Sequence, residues 1–161
     1  MKRLTIYALA ALALAGCASD PTSHGIPNLA CVDAATARYR GGEPTPVGWA
    51  WLRAHGVTNE IKLDEGSSTA PVGWTVFRHP MSTAEQIMGP VGPQIVAAEL
   101  DMETHPGCFT HCAHGMNRTG TVLIWYRMHH DHWTKARAIA EADKFDWGSS
   151  FPALKKWVAA L

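Results

Sequence analysis

In residues 108–120, Cys108-Phe-Thr-His-Cys-Ala-His-Gly-Met-Asn-Arg-Thr-Gly120, a cysteine and an arginine are separated by five residues that include a glycine. A strand running into Cys112, a short loop, and a helix opened by Arg118 can turn successive backbone N–H groups inward. That arrangement makes an anion nest at a helix N-terminus. Gly115 permits the backbone conformation such a loop needs. The field that holds an oxyanion also lowers the pKa of Cys112 and favours its thiolate. Arg118 can clamp two phosphate oxygens with its planar fork, which a lysine cannot do. These pieces point to covalent phosphoryl transfer: thiolate attack, then hydrolysis of a phosphocysteine.

His111-Cys112-x5-Arg118-Thr119 resembles the signature of the cysteine-dependent protein tyrosine phosphatase superfamily, and the length resembles its small dual-specificity members. Two further segments, Tyr39-Arg40-Gly41-Gly42-Glu43-Pro44-Thr45 and His79-Pro80-Met81-Ser82, resemble parts of bacterial members. The resemblance implies Cys112 as nucleophile and Arg118 as phosphate ligand. It implies that the backbone of Ala113, His114, Gly115, Met116 and Asn117 is the rest of the cradle. It further implies that His111 orders the loop and supports the thiolate, and that the Thr119 hydroxyl bonds the sulfur and helps it leave.

The resemblance leaves the general acid open. Members of the superfamily place an Asp some tens of residues before the nucleophile, but no Asp occurs between Asp64 and Asp101. Glu85 is the first candidate and His79, with an unperturbed pKa of about 6.5, the second; an enzyme with neither remains an alternative. Some relatives, such as myotubularins, carry an Asp beside the loop arginine; here that position is Asn117, which does not titrate. An enzyme lacking the acid is slow, or is restricted to good leaving groups such as phenols.

The elements that must hold this loop read as α/β. Short strands are expected at 29–32, 37–39, 57–63, 74–77 and 108–111, the two glycines at 41 and 42 forming a turn. Helices are expected from Thr45-Pro46 to Gly56, from Gly92-Pro93 to about Met102, over 118–128 and 134–144, and from Ser150-x-Pro152 to Leu161. In the first helix Val47, Ala50, Trp51 and Ala54 recur at helical spacing, and in the strand at 57–63 Ile61 and Leu63 point one way. Strands alternating with helices imply a small, mostly parallel central sheet flanked by helices.

Of the 161 residues, 47% are hydrophobic and 17% charged, which excludes a disordered chain and suits one domain. Met1–Gly16 reads as a signal peptide: Lys2 and Arg3 precede an apolar run far shorter than a membrane span. Leu14-Ala15-Gly16-Cys17 resembles a bacterial lipobox, which implies lipidation of Cys17. With no Asp directly after Cys17, the periplasmic side of the outer membrane is the favoured location. Residues 17–27 read as lipidated N-terminus and flexible tether, and residues 28–161 as the domain. Without the signal peptide the chain has fourteen acidic against twelve basic residues, which disfavours nucleic acid as partner.

The expected substrate is a phosphoester on a protein or a small molecule, foremost phosphotyrosine or another aryl phosphate. No lysine stands in the loop, which disfavours highly phosphorylated inositides without excluding them. A phosphate-binding module with little turnover is the rival reading. No cofactor is expected. His129, His130 and His132 read as surface or packing residues rather than metal ligands. Arg78 reads as a solvated strand-end residue, and Cys31 with Cys108 as either a bridge or free thiols.

Overall fold

The computed structural model describes residues 23–81 and 92–161. Five strands form one sheet in the order β1-β2-β5-β3-β4, where β1 is Ala30–Asp33, β2 Arg38–Gly41, β3 Asn59–Lys62, β4 Thr75–Arg78 and β5 Cys108–His111. Only β1 runs antiparallel to its neighbour; the other three pairings are parallel. The helices are α1 (Pro46–Ala54), α2 (Gly92–Thr104), α3 (Asn117–His129), α4 (Lys135–Asp143) and α5 (Pro152–Ala159). This is the α/β architecture expected from the sequence, with β5 at the expected residues and the other boundaries shifted by a few positions.

The side chains of β3 and β5 alternate between two very different environments. On one face Ile61, Leu63 and Cys108 join Ile95, Met102, Val122 and Leu123 of α2 and α3 in the main apolar core. On the other, Phe109 packs with Trp49 and Leu52 of α1 and with Ile26. Beside that second core, however, β3 also buries Glu60 and Lys62. Glu60 accepts from Ser68 and lies 2.7 Å from His111 Nε2, while Lys62 Nζ sits 2.7 Å from Glu43 and 2.8 Å from Asp64. Charges taken out of water are tolerated only when paired in this way.

Three expectations change. The segment Gly25–Pro27, composed like a tether, is docked on the domain: Ile26 is 1% exposed, and the carbonyls of Gly25 and Pro27 accept from Thr45 (2.9 Å) and Gly42 (2.6 Å). This docking also sets the rotation of α1. Thr45 caps the helix and Pro46 opens it as expected, but the buried face is Gly48, Trp49 and Leu52, with Val47 67% exposed. Ile26 lies so close that a Cβ on residue 48 would approach it to 2.6 Å, so only glycine brings that face inward. Finally, Ser150 does not cap α5: the helix follows Phe151 with no side-chain cap bond.

Burial alone would raise the Glu60 pKa, but the bonds from His111 and Ser68 outweigh it and hold the carboxyl below its ordinary 4.5. A group depressed in the folded state adds stability above its unfolded pKa and loses it as pH falls through the folded value. Wild type is therefore expected to lose stability progressively below about pH 4.5, and Glu60→Gln to show a flatter curve there. The variant should be destabilised by roughly 1–3 kcal/mol at neutral pH. Denaturant titrations from pH 7 to 3 check this, and parallel curves for the two proteins would contradict it.

Candidate active site

Strand β5 delivers Cys112 to the end of the sheet, and α3 starts five residues later at Asn117. Cys112 is 5% exposed, and Thr119 Oγ1, in the first turn of α3, donates to its sulfur at 3.2 Å. The N-cap residue of α3, Met116, makes no side-chain cap bond. The first N–H groups of the helix are thus left to whatever occupies the space in front of them.

The intervening loop is held by its carbonyls. Ala113 O accepts from the Glu43 N–H at 3.1 Å and His114 O from Asn28 Nδ2 at 2.8 Å, while Gly115 O takes a short bond from the Arg40 guanidinium. All three donors lie behind the loop. A trans peptide points its N–H opposite to its C=O, so the N–H groups of His114, Gly115 and Met116 turn away from these three donors. Close backbone contact makes this possible. Gly115 has φ +70°, and a Cβ there would stand 2.4 Å from the Gly41 carbonyl carbon; a Cβ on Gly42 would stand 2.9 Å from that of His114. Asn28 itself adopts φ +51°, a conformation that asparagine tolerates better than most residues.

In front of the loop is a cavity of about 370 Å³ lined by Cys112, Ala113, His114, Met116, Asn117 and Arg118. All the expected cradle residues except Gly115 reach its wall. Arg118 has no carboxylate partner among the described residues, and its Nε is buried without a hydrogen bond. Two wall residues, Ser150 and Phe151, were not expected. Asn117 brings them in: its Oδ1 accepts from Gly148 N at 2.7 Å, and Trp147 Nε1 bonds Thr121 at 2.9 Å. Asn117 is therefore a brace for the cavity wall as well as part of it.

His111 acts at one remove. Its ring is fully buried, stacked on Phe109, with Nε2 on Glu60 and Nδ1 3.4 Å from Glu43 Oε2. Glu43 also accepts from Thr69 at 2.6 Å and pairs with Lys62. Burial alone would lower the Lys62 pKa, but Asp64 and Glu43 more than offset this and hold it above its ordinary value. Glu43 is thus pinned on three sides, and its backbone N–H holds Ala113. His111 Nδ1 approaches Glu43 without a hydrogen bond, and the Glu43 backbone N–H in turn bonds Ala113 O.

Of the acid candidates, Glu85 lies outside the described residues. His79 Nε2 is 2.6 Å from Asp101 on α2, and His79 is absent from the cavity wall. Arg78 donates to the carbonyls of Gly66 (2.9 Å) and Glu65 (3.3 Å), bracing the chain after β3. Cys108 is a free buried thiol, not bridged to Cys31, and burial pushes its pKa up to about 12. His129 and His130 bond Trp125 O and Asp131, and no metal-holding cluster exists among the described residues. Cys17 lies outside the described residues.

Residues 1–18 match the model of a prokaryotic membrane lipoprotein lipid attachment site. No curated protein matches the chain at a significant level. Among solved structures, TpbA of P. aeruginosa is similar in fold, with a TM-score of 0.68 at 21% identity over 89% of this chain and 88% of that one. A variant of it in complex with pTyr gives 0.65 at 20% identity over 88% and 86%. The core catalytic domain of the PP-IP phosphatase SIW14 from S. cerevisiae gives 0.65 at 15% identity over 85% and 82%. Human DUSP28 gives 0.56 at 22% identity over 83% and 95%. The fold is the one these proteins share.

If outward carbonyls create the anion cradle, removing one donor must weaken it. Asn28→Gly keeps the left-handed backbone and deletes the donor to His114 O. Tungstate affinity, measured by calorimetry, is expected to fall about two- to tenfold, equivalent to the 0.5–1.5 kcal/mol of one hydrogen bond. An unchanged affinity in a folded variant would mean that the bond does not shape the loop.

Proposed function

We propose that the protein is a cysteine-dependent phosphomonoesterase acting on phosphotyrosine or another aryl phosphate through a phosphocysteine intermediate. One arrangement carries this reading. Cys112 Sγ accepts from Thr119 at the foot of a loop whose carbonyls are taken up by Glu43, Asn28 and Arg40, and Arg118 lacks a carboxylate partner among the described residues at the same cavity. The fold shared with TpbA, SIW14 and DUSP28 supports it.

The Cys112 thiolate attacks phosphorus in line, forming the S–P bond as the P–O bond to the leaving group breaks. Arg118 binds two of the three equatorial oxygens, and the inward N–H groups stabilise the charge on them. The leaving oxygen takes the electron pair and a proton, for which Glu85 is the proposed donor. Water then attacks phosphorus, the S–P bond breaks, and the Thr119 hydroxyl stabilises the departing thiolate. Inorganic phosphate leaves.

Two features of the site favour an aryl ester. Phe151 and Met116 give the cavity apolar walls beside the phosphate position, and the loop has no lysine for additional phosphates. The complex of the TpbA variant with pTyr is in line with this. The match at residues 1–18 supports export and lipid attachment at Cys17, which would hold the enzyme on a membrane outside the cytoplasm, the outer membrane being the proposed one.

The test is turnover by residues 18–161. Aryl phosphate hydrolysis is expected, with Cys112→Ser abolishing it. Phosphotyrosine peptides should turn over at least about 100-fold faster than phosphoserine peptides, because an alkoxide depends more on the acid. Glu85→Gln should slow poorer leaving groups more than nitrophenyl phosphate, and Phe151→Ala should raise KM for aryl esters. Equal phosphotyrosine and phosphoserine rates would overturn the substrate assignment. Folded, reduced protein that binds phosphate without turnover would overturn the enzyme.

A further inference from the structure

Among the described residues, Arg40 is a buried cation without a carboxylate partner. Its side chain is 2% exposed, its guanidinium lies 4.0 Å over the Phe145 ring, and its described hydrogen bond goes to the Gly115 carbonyl. Its Nε has no hydrogen-bond partner among the described residues. The carboxylate closest to serving it, Glu141, has both oxygens on Arg127, at 2.8 and 2.9 Å. Leaving an arginine buried and unpaired is costly. Burial pulls its pKa down to about 10, and the charge that most opposes this is that of Cys112.

We propose that Arg40 is a positioning residue that supplies the second positive charge of the phosphate site from behind the loop, transmitted through the Gly115–Met116 peptide. A cation on a carbonyl polarises the whole amide, so the N–H on its far side becomes a stronger donor. Of the three donors that hold the loop, Glu43 N–H and Asn28 are neutral; only Arg40 is charged. This also accounts for a loop that holds a dianion with no lysine in it. The charged or titratable groups around the sulfur are then Arg118, His114 in the loop and Arg40 behind it. The carboxylates of Glu43 and Glu60 on the neighbouring face are occupied by Lys62 and His111. The proposal rests on the phosphate-binding reading of the Cys112 loop.

Two variants separate the charge from the hydrogen bond. Arg40→Gln retains an amide donor and removes the charge, while Arg40→Lys retains the charge and removes the planar fork. The readouts are the pH midpoint of Cys112 alkylation by iodoacetamide and the affinity for vanadate; neither needs turnover. In Arg40→Gln the midpoint should rise by about one unit, and vanadate should bind about tenfold more weakly. Arg40→Lys should stay within about 0.3 unit of wild type. A merely structural arginine would lower the melting temperature of both variants and move neither readout.

An unshifted midpoint in folded Arg40→Gln would overturn the proposal. If that variant does not fold, the wild-type protein still decides it: the Arg40 guanidinium ¹⁵N resonances should shift as Cys112 ionises and remain still in Cys112→Ser. Absence of that shift would overturn it. A wild-type thiol that alkylates like free cysteine and ignores vanadate would instead overturn the phosphate-site reading itself.

Discussion

Everything at this site depends on three carbonyl oxygens facing the wrong way. A loop that offers N–H groups to an anion turns the opposite ends of the same peptides the other way, where protein donors or water must satisfy them. Ala113, His114 and Gly115 find their donors in Glu43, Asn28 and Arg40. Those three residues come from the segment preceding β1, from β2, and from the link between β2 and α1. The antiparallel edge of the sheet therefore serves as the back wall of the loop. Gly42 follows from the same requirement, because a Cβ there would meet the backbone of Ala113 and His114, whereas one on Gly41 would meet Ile26, Phe109 and Pro27 O.

The second constraint is how that wall is kept rigid. Glu43 could move freely at the start of α1, but its carboxylate is held by Lys62, Thr69 and the edge of His111. Lys62 and Glu60 lie on β3, opposite His111 and Phe109 of β5 in the parallel register. The apolar face of the same strand fixes which way they point, for a slip of one residue would drive Glu60 into the core of Ile61 and Leu63. Core packing thus determines the position of a hydrogen bond at the mouth of the sheet. The charges are desolvated, and their mutual pairing offsets that cost only in one geometry, which confers positional specificity more than stability.

What was legible in the sequence is what is local in it. Cys112, Gly115, Arg118 and Thr119 lie within eight residues, so their spacing marks them without the rest of the chain, even though Glu43, Asn28 and Arg40 hold the loop in place. The alternation of strands and helices likewise made the parallel sheet readable. Asn28, Ser150 and Phe151 were not readable as site residues, because they reach the loop only through folding. Ser150 has a cap-like spacing before Pro152, and only the Asn117–Gly148 bond turns it to the cavity instead. The face of α1 was misread for a similar reason. Its rotation is dictated by Ile26, in a segment whose Pro, Ser, His and Gly content looks like linker.

That segment links the two ends of the functional reading. Gly25 lies eight positions after Cys17, a reach of at most about 28 Å when fully extended. Gly25, Pro27 and Asn28 then bond Thr45, Gly42 and His114 in succession. With a lipid on Cys17, as proposed, the chain that emerges from the bilayer is the chain that braces the phosphate loop. A long linker would let the domain sample a wide volume; this one spends its final residues as part of the active-site wall. If Cys17 carries a lipid, so short a connection would keep the domain close to the bilayer, where phosphoesters at that surface would meet it at a higher effective concentration than soluble ones.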